Sequence, residues 1–239
     1  MLREGEPLGV IVVGWTEAGP VPKVQEELLK TFADQAVIAI ENARLLGELR
    51  QSLEQQTATA DVLRVISASP GELDPVFNAM LENATRICDA EYGILFSYDG
   101  RLFNKIAARN VPKSLLDFIE QRGAFLPPPE TALHDMLTTR NVAHRADASA
   151  SPVQSAPVRL GGAKAFLAVP MFKDDTLVGA ISIYRQEARP FTDKQIAVVQ
   201  NFAAQAVIAI ENTRLLNELR QSLEQQTATS DVLRVISSR

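Results

Sequence analysis

The chain has 239 residues, room for one or two domains with a packed core. Hydrophobic residues make up 46% and charged residues 22%, an ordinary globular balance, and the formal charge of -5 argues against a nucleic-acid footprint, which needs a basic face. One cysteine, Cys88, excludes an internal disulfide and makes a reducing, cytoplasmic compartment the default. No apolar run approaches the roughly 18 residues of a membrane span, and residues 1–30 lack the basic start and apolar block of a signal peptide, so no membrane insertion is expected.

Taken in chain order, the first stretch already belongs to a repeat. At a fixed offset of 170, "MLREGEPLGVIVVGW" falls on "MFKDDTLVGAISIYR", with Gly9 on Gly179, Ile11 on Ile181 and Pro20 on Pro190. The next stretch, "FADQAVIAIENARLLGELRQSLEQQTATADVLRVIS" from Phe32 to Ser67, returns at Phe202 to Ser237 with changes only at Asp34/Ala204, Ala43/Thr213, Gly47/Asn217 and Ala60/Ser230. A unit of about 170 residues is a domain, not a solenoid repeat. The chain is expected to hold one whole unit and the tail of a preceding one. Met1 aligns inside a hairpin, which reads as a fragment or mis-assigned start of a longer tandem protein. The closing "TSDVLRVISSR" repeats the lead-in "TADVLRVISASP", so a further module is expected after it.

In the complete unit, Leu73, Val76, Phe77, Met80, Leu81, Ala84, Ile87 and Cys88 form one apolar helical face, with Cys88 a small buried hydrophobe on it. "YGILFSYDG" alternates, with Ile94, Phe96 and Tyr98 on one side, and Asp99-Gly100 turns it into "RLFNKIAAR". "KSLLDFIEQ" and "TALHDMLTT" read as helices, "NVAHRAD" as a short strand, and 127–130 and 147–157 as loops. "LGGAK" at 160–164 lacks phosphate-loop spacing and reads as a flexible lead into a hairpin over 163–186. Pro170 in that hairpin removes a ladder donor, which places it at an edge or a bulge. The class is α+β, with five or six antiparallel strands and helices before, after and inserted.

Thr192 to Gln195 fits a capping box and opens a helix of about 46 residues, ~70 Å long. Beyond the part able to cover its own sheet, apolar residues continue at heptad spacing. Asn212, Leu219, Gln226 and Leu233 fall at d, and Leu216, Leu223 and Ser230 at a. The earlier copy supplies Asn42, Leu49, Gln56 and Leu63, with Leu46, Leu53 and Ala60. This spacing predicts a seam for a parallel homodimer, weakened at its polar positions enough to rotate or shift; the competing reading folds the helix back on its own domain.

"AFLAVPMFKDDTLVGAISIYRQEARPFTDKQIAVVQNFAAQAVIAIEN" resembles the C-terminal half of GAF domains, and "PVFNAMLENATRICDAEYGILFSYDG" resembles their opening helix and first strand. The linker "LLNELRQSLEQQTATSDVLRVIS" is similar to those of bacterial multi-GAF sensor histidine kinases. On this resemblance, 1–45 is the truncated end of a preceding GAF domain, 46–70 a helical linker, 71–215 a complete GAF domain and 216–239 a coiled-coil-like linker to a following module. The resemblance implies a six-stranded antiparallel sheet, a pocket between the sheet and the inserted segment, helical dimerisation and relay to an output domain of the same polypeptide.

The family's ligands differ, and fold alone does not name one. The cyclic-nucleotide-binding branch carries an Asn-Lys followed by a Phe and an Asp-Glu pair. Asn104-Lys105 matches only its first element, since no Asp-Glu dipeptide occurs in the chain. Bilin attachment would need a pocket cysteine, whereas Cys88 is on the opening helix. His134 and His144 are in the right region for a haem ligand, a place where histidine is more often a surface or hydrogen-bonded residue. No cofactor is predicted, and an unidentified small ligand is possible. Candidate pocket residues are Phe103, Lys105, Phe118, Phe125, His134, Met136, His144, Phe166 and Tyr184; the aromatics and Met136 also read as plain core, and Lys105 as a solvent-reaching edge residue. No catalytic motif or zinc-ligand spacing is present, and the family's several-cysteine sulfoxide-reducing branch is a poor match to a single cysteine. Two non-enzymatic readings remain, a ligand-sensing regulatory module and a ligand-free dimerisation spacer.

Overall fold

The computed structural model describes all residues except 4–5, 15, 17–18, 69–71, 149–154 and 238–239, and describes only the backbone at 3, 51, 55, 63, 66–68, 220 and 224–237. Two compact units are present, Met1–Gln56 and Thr57–Arg239.

In the first unit, β1 (Leu2–Arg3) and β2 (Glu6–Pro7) make a minimal antiparallel pair. Residues 8–14, the copy of a strand in the second unit, form none, and Val10 and Val12 are 79% and 83% exposed. A strand needs ladder partners for its N–H and C=O groups; Leu8 and Gly9 bond to Met1, but among the described residues no strand flanks the rest of the segment. Helix α1 (Lys23–Ala68) follows, with Arg44 paired to Glu41 and Glu48 across successive turns.

The second unit is built on one sheet. Helix α2 (Asp74–Ile87) precedes the hairpin of β3 (Tyr92–Tyr98) and β4 (Phe103–Arg109). The turn is held by Asp99 Oδ1, which accepts the N–H groups of Arg101 and Leu102 at 2.8 and 2.7 Å. Then come α3 (Lys113–Arg122), α4 (Ala132–Thr139), β5 (Ala143–Arg145), α5 (Ala156–Gly161), β6 (Ala165–Lys173), β7 (Thr176–Arg185) and α6 (Asp193–Ser237). The sheet order is β4-β3-β7-β6-β5, antiparallel throughout.

Both faces are covered, which is why β6 and β7 read as nearly continuous apolar runs. Leu95, Leu167, Val169, Met171, Ile181 and Ile183 pack against α2 and the first half of α6, joined by Ala58 and Val62 from the end of α1. The alternate residues Tyr92, Ile94, Phe96, Phe166, Ala168 and Tyr184 face the inserted helices α3, α4 and α5. Each fully buried large side chain stabilises the fold by about 1.5–3 kcal/mol.

Three expectations need adjusting. Five strands, not six, are described. At the outer edge of β4 the place of a sixth holds one bridge, in which Phe103 and Phe125 exchange N–H···O bonds of 2.8 and 2.9 Å. Pro127, Pro128 and Pro129 follow at once and lack the donors to extend it. The second concerns 155–161, read as loop and flexible lead-in, which closes into α5. Gly161 fits because a Cβ there would overlap the Tyr92 hydroxyl, and Gly162 ends the helix in the left-handed region at φ 64. The third is the strand copy at 8–14, above.

Other expectations hold. Pro170 sits where β5, paired only with Phe166–Ala168, no longer flanks β6, and the register shifts just beyond it at Met171/Phe172. The capping box forms, with Thr192 N–H donating to Gln195 Oε1 at 3.1 Å and Gln195 N–H to Thr192 Oγ1 at 3.3 Å. The helix after Asn212 continues unbroken to Ser237.

Candidate functional site

Helix α3 presents Leu115, Phe118, Ile119 and Arg122 on one face, at the helical spacing of three, four and seven residues. Opposite them, β3, β6 and β7 present Ile94, Phe96, Phe166, Ala168, Ser182 and Tyr184 at a period of two. Between these surfaces lies a cavity of about 230 Å³, lined further by Phe125, Pro127, Leu133, Pro157 and Arg159.

The wall is largely aromatic and rigid. Tyr184 stacks on Tyr92 with ring centroids 4.7 Å apart and meets the edge of Phe166 at 5.5 Å. The Tyr92 hydroxyl donates to Pro157 O at 3.1 Å, tying α5 to the sheet. Burial pushes the Tyr184 phenol up to about 12 and the Tyr92 phenol higher still, so both stay protonated at neutral pH. The Ser182 hydroxyl and the Arg122 charge lie close enough to Tyr184 to oppose part of that rise.

Two polar groups on this wall are poorly satisfied. Ser182 is 2% exposed, and its buried Oγ makes at most a weak contact with the Tyr184 phenol beside it. Arg122 forms no hydrogen bond or ion pair among the described residues, and its Nε is buried. Its guanidinium carbon lies 3.4 Å from the centroid of the Phe125 ring and 5.3 Å from that of Phe118. Burial lowers its pKa, yet a guanidinium remains charged at neutral pH. None of the described residues lining the cavity carries a carboxylate. A buried donor left unsatisfied is costly, so the arrangement favours an occupant that brings acceptors.

The model of the GAF domain family matches residues 72–211, more than half of the chain. This chain belongs to the GAF domain family. Its second unit is similar in structure to the GAF domain of a phosphoenolpyruvate-protein phosphotransferase from Coxiella burnetii, with TM-score 0.58, 16% identity, and 70% of this chain and 98% of that one covered. It is also similar to the GAF domain of a putative sensor histidine kinase from Pseudomonas syringae pv. tomato, with TM-score 0.53, 14% identity and coverages of 73% and 97%. A third likeness is to the free methionine-R-sulfoxide reductase of Neisseria meningitidis, with TM-score 0.56, 11% identity and coverages of 70% and 93%. At such identities the likeness is one of fold. No curated protein matches the chain.

Within the GAF unit, four of the residues singled out from the sequence come together on the cavity: Phe118, Phe125, Phe166 and Tyr184. The other five have different surroundings. Phe103 is fully buried between Phe96, Tyr98 and Phe125, and Met136 is buried beneath α4. Lys105 Nζ pairs with Glu120 at 3.1 Å, His134 Nδ1 is 3.3 Å from Pro127 O, and His144 Nε2 faces the backbone of Phe191. Sequence reading missed Arg122 and Ser182. The signal for Arg122 was its place four residues after Phe118 on an apolar face; for Ser182 it was its place between Ala180 and Tyr184 at strand period.

Cys88 lies in the core on the opposite side of the sheet, where burial pushes its thiol up to about 12 and its Sγ contacts Gln195 O at 3.6 Å. Among the described residues, no three His, Cys, Asp or Glu side chains gather as metal ligands, and no helix is long and apolar enough to cross a membrane.

The expected seam residues Asn42, Leu46, Leu49, Leu53, Asn212, Leu219 and Leu223 are exposed on α1 and α6, and Leu216 is half-buried. The side chains of Leu63 and Leu233 lie outside the described residues.

Proposed function

We propose that this GAF unit is a non-catalytic sensory module of a longer signalling protein. In this reading it dimerises in parallel through α1 and α6 and passes the state of its cavity to an output domain of the same polypeptide, such as a histidine kinase. The observation that carries the reading is the sharing of β6 and β7. One face of these strands lines the cavity, and the other carries α6, which runs on past the sheet with exposed leucines at 215 and 219. A shift of the sheet on filling the cavity therefore meets the base of a long rod directly. The cavity itself favours sensing over a ligand-free spacer.

Native mass spectrometry of protein purified from cells tests both parts together. The expected result is a dimer carrying a small-molecule mass excess. A monomer at every concentration would remove the relay, and an empty dimer would favour the spacer.

A further inference from the structure

The cavity of the sensory reading has a size, a shape and a sign. An apolar protein cavity of roughly 150 Å³ accommodates one benzene ring; about 230 Å³ therefore holds a ring and a short substituent, roughly ten non-hydrogen atoms. That is far below a tetrapyrrole. Ile94, Phe96, Ile119 and Phe166 supply an apolar surface for such a ring.

The sign comes from Arg122. Its guanidinium rests over the ring of Phe125, and stacking uses only the guanidinium face. The N–H donors lie in the guanidinium plane and are left over, with Nε buried and without an acceptor. A planar fork matches a carboxylate in two parallel bonds. Ser182 adds a buried hydroxyl on the same wall, beside the Tyr184 phenol. With Arg122 and Arg159 and no carboxylate among the described lining residues, the cavity carries a positive charge that favours an anionic occupant.

Building on the sensory reading, we propose that the cavity binds a small aromatic monocarboxylate, with the carboxylate on Arg122 and the ring against Ile94, Phe96 and Phe166. A free phosphate could use these donors but would leave the apolar wall of Ile94, Phe96 and Phe166 unfilled.

The test is isothermal titration of the full chain with phenylacetate, with its neutral counterpart phenylacetamide, and with inorganic phosphate. Phenylacetate is expected to bind saturably and at least about tenfold tighter than the amide, and phosphate alone to bind poorly. Arg122→Gln should cost phenylacetate about tenfold or more and leave the amide unchanged. Because Arg122 has no hydrogen-bond partner among the described residues, this variant should keep its fold, which circular dichroism checks. Ser182→Ala should weaken phenylacetate by a smaller factor. Equal binding of acid and amide, no effect of Arg122→Gln, phosphate binding as tight as phenylacetate, or no binding by either phenylacetate or benzoate would each overturn the proposal. The subunit number, measured separately, decides whether the relay reading survives that outcome.

Discussion

The imidazole Nε2 of His144 accepts the backbone N–H of Phe191 at 3.0 Å, joining the edge strand β5 to the segment that opens α6. An accepting Nε2 carries no proton, so the ring is neutral with its proton on Nδ1. Burial, then the nearby Arg185, hold its pKa below the ordinary histidine value, and Asp193 only partly opposes them. The unfolded chain therefore binds a proton that the native state excludes, and stability rises with pH between the lowered native value and about 6.5. Urea unfolding between about pH 5 and 7.5 should show a midpoint that falls as pH falls. In His144→Gln, whose amide oxygen can still accept, that slope should flatten.

Arg185 is a clamp. It donates to the carbonyls of Cys88, Asp89, Arg189 and Pro190 and to Gln195 Oε1, and it lies 4.1 Å from the Phe191 ring centroid. It thus fastens the end of α2, the end of β7 and the start of α6 at one point. Arg185→Met keeps the bulk but strands these acceptors, at an expected cost of about 3 kcal/mol or more. Arg185→Lys should recover little, since one ammonium cannot span the same set. The shift in urea midpoint measures both.

Paired residues of the repeat should respond differently. Phe202 is 2% exposed against the sheet, whereas its copy Phe32 is 55% exposed. Phe202→Ala should destabilise the GAF unit by about 3–5 kcal/mol. Phe32→Ala should change it by less than about 0.5 kcal/mol. Likewise, a Cβ on Gly179 would overlap the backbone oxygen of Phe96, which the β3–β7 ladder holds in place, whereas on Gly9 it would meet only the flexible tip of Met1 at 3.2 Å. Gly179→Ala should cost about 1–3 kcal/mol, and Gly9→Ala close to none. Thermal unfolding of the four variants checks the contrast.

The exposed leucines of α6 give a prediction for assembly. Leu219→Lys with Leu223→Lys should halve the mass seen by light scattering without lowering the denaturant midpoint of the GAF unit, because neither side chain is part of its core. Leu219→Cys should instead yield an oxidised, covalently linked pair of chains, since the native Cys88 is buried and its thiol suppressed. No cross-linked species under oxidation would count against a parallel seam.

Much of the GAF unit could be read locally. The face of α2, the Asp99-Gly100 turn and the capping box at Thr192 depend on neighbours a few residues apart, and each formed as its spacing predicts. The cavity was half legible. Its aromatics stood out by type, but Lys105, His134 and His144 were drawn in by chemistry alone and proved to have nearby partners. Arg122 and Ser182 escaped notice because what matters about them is a missing partner, a property of the surroundings rather than of the residue.

The amino-acid order by itself determined the periodicities: which residues share a helix face, which alternate along a strand, and that one long helix is written twice. Whether those patterns become structure was decided by tertiary contact. The segments at 8–14 and 178–184 are copies, but only the second lies between β3 and β6, where the backbone N–H and C=O groups have ladder partners within reach. Phe32 and Phe202 stand in nearly identical words, and only the second has a sheet to cover. Burial and ladder bonding are relations between distant parts of the chain, so identical local sequence leaves them open.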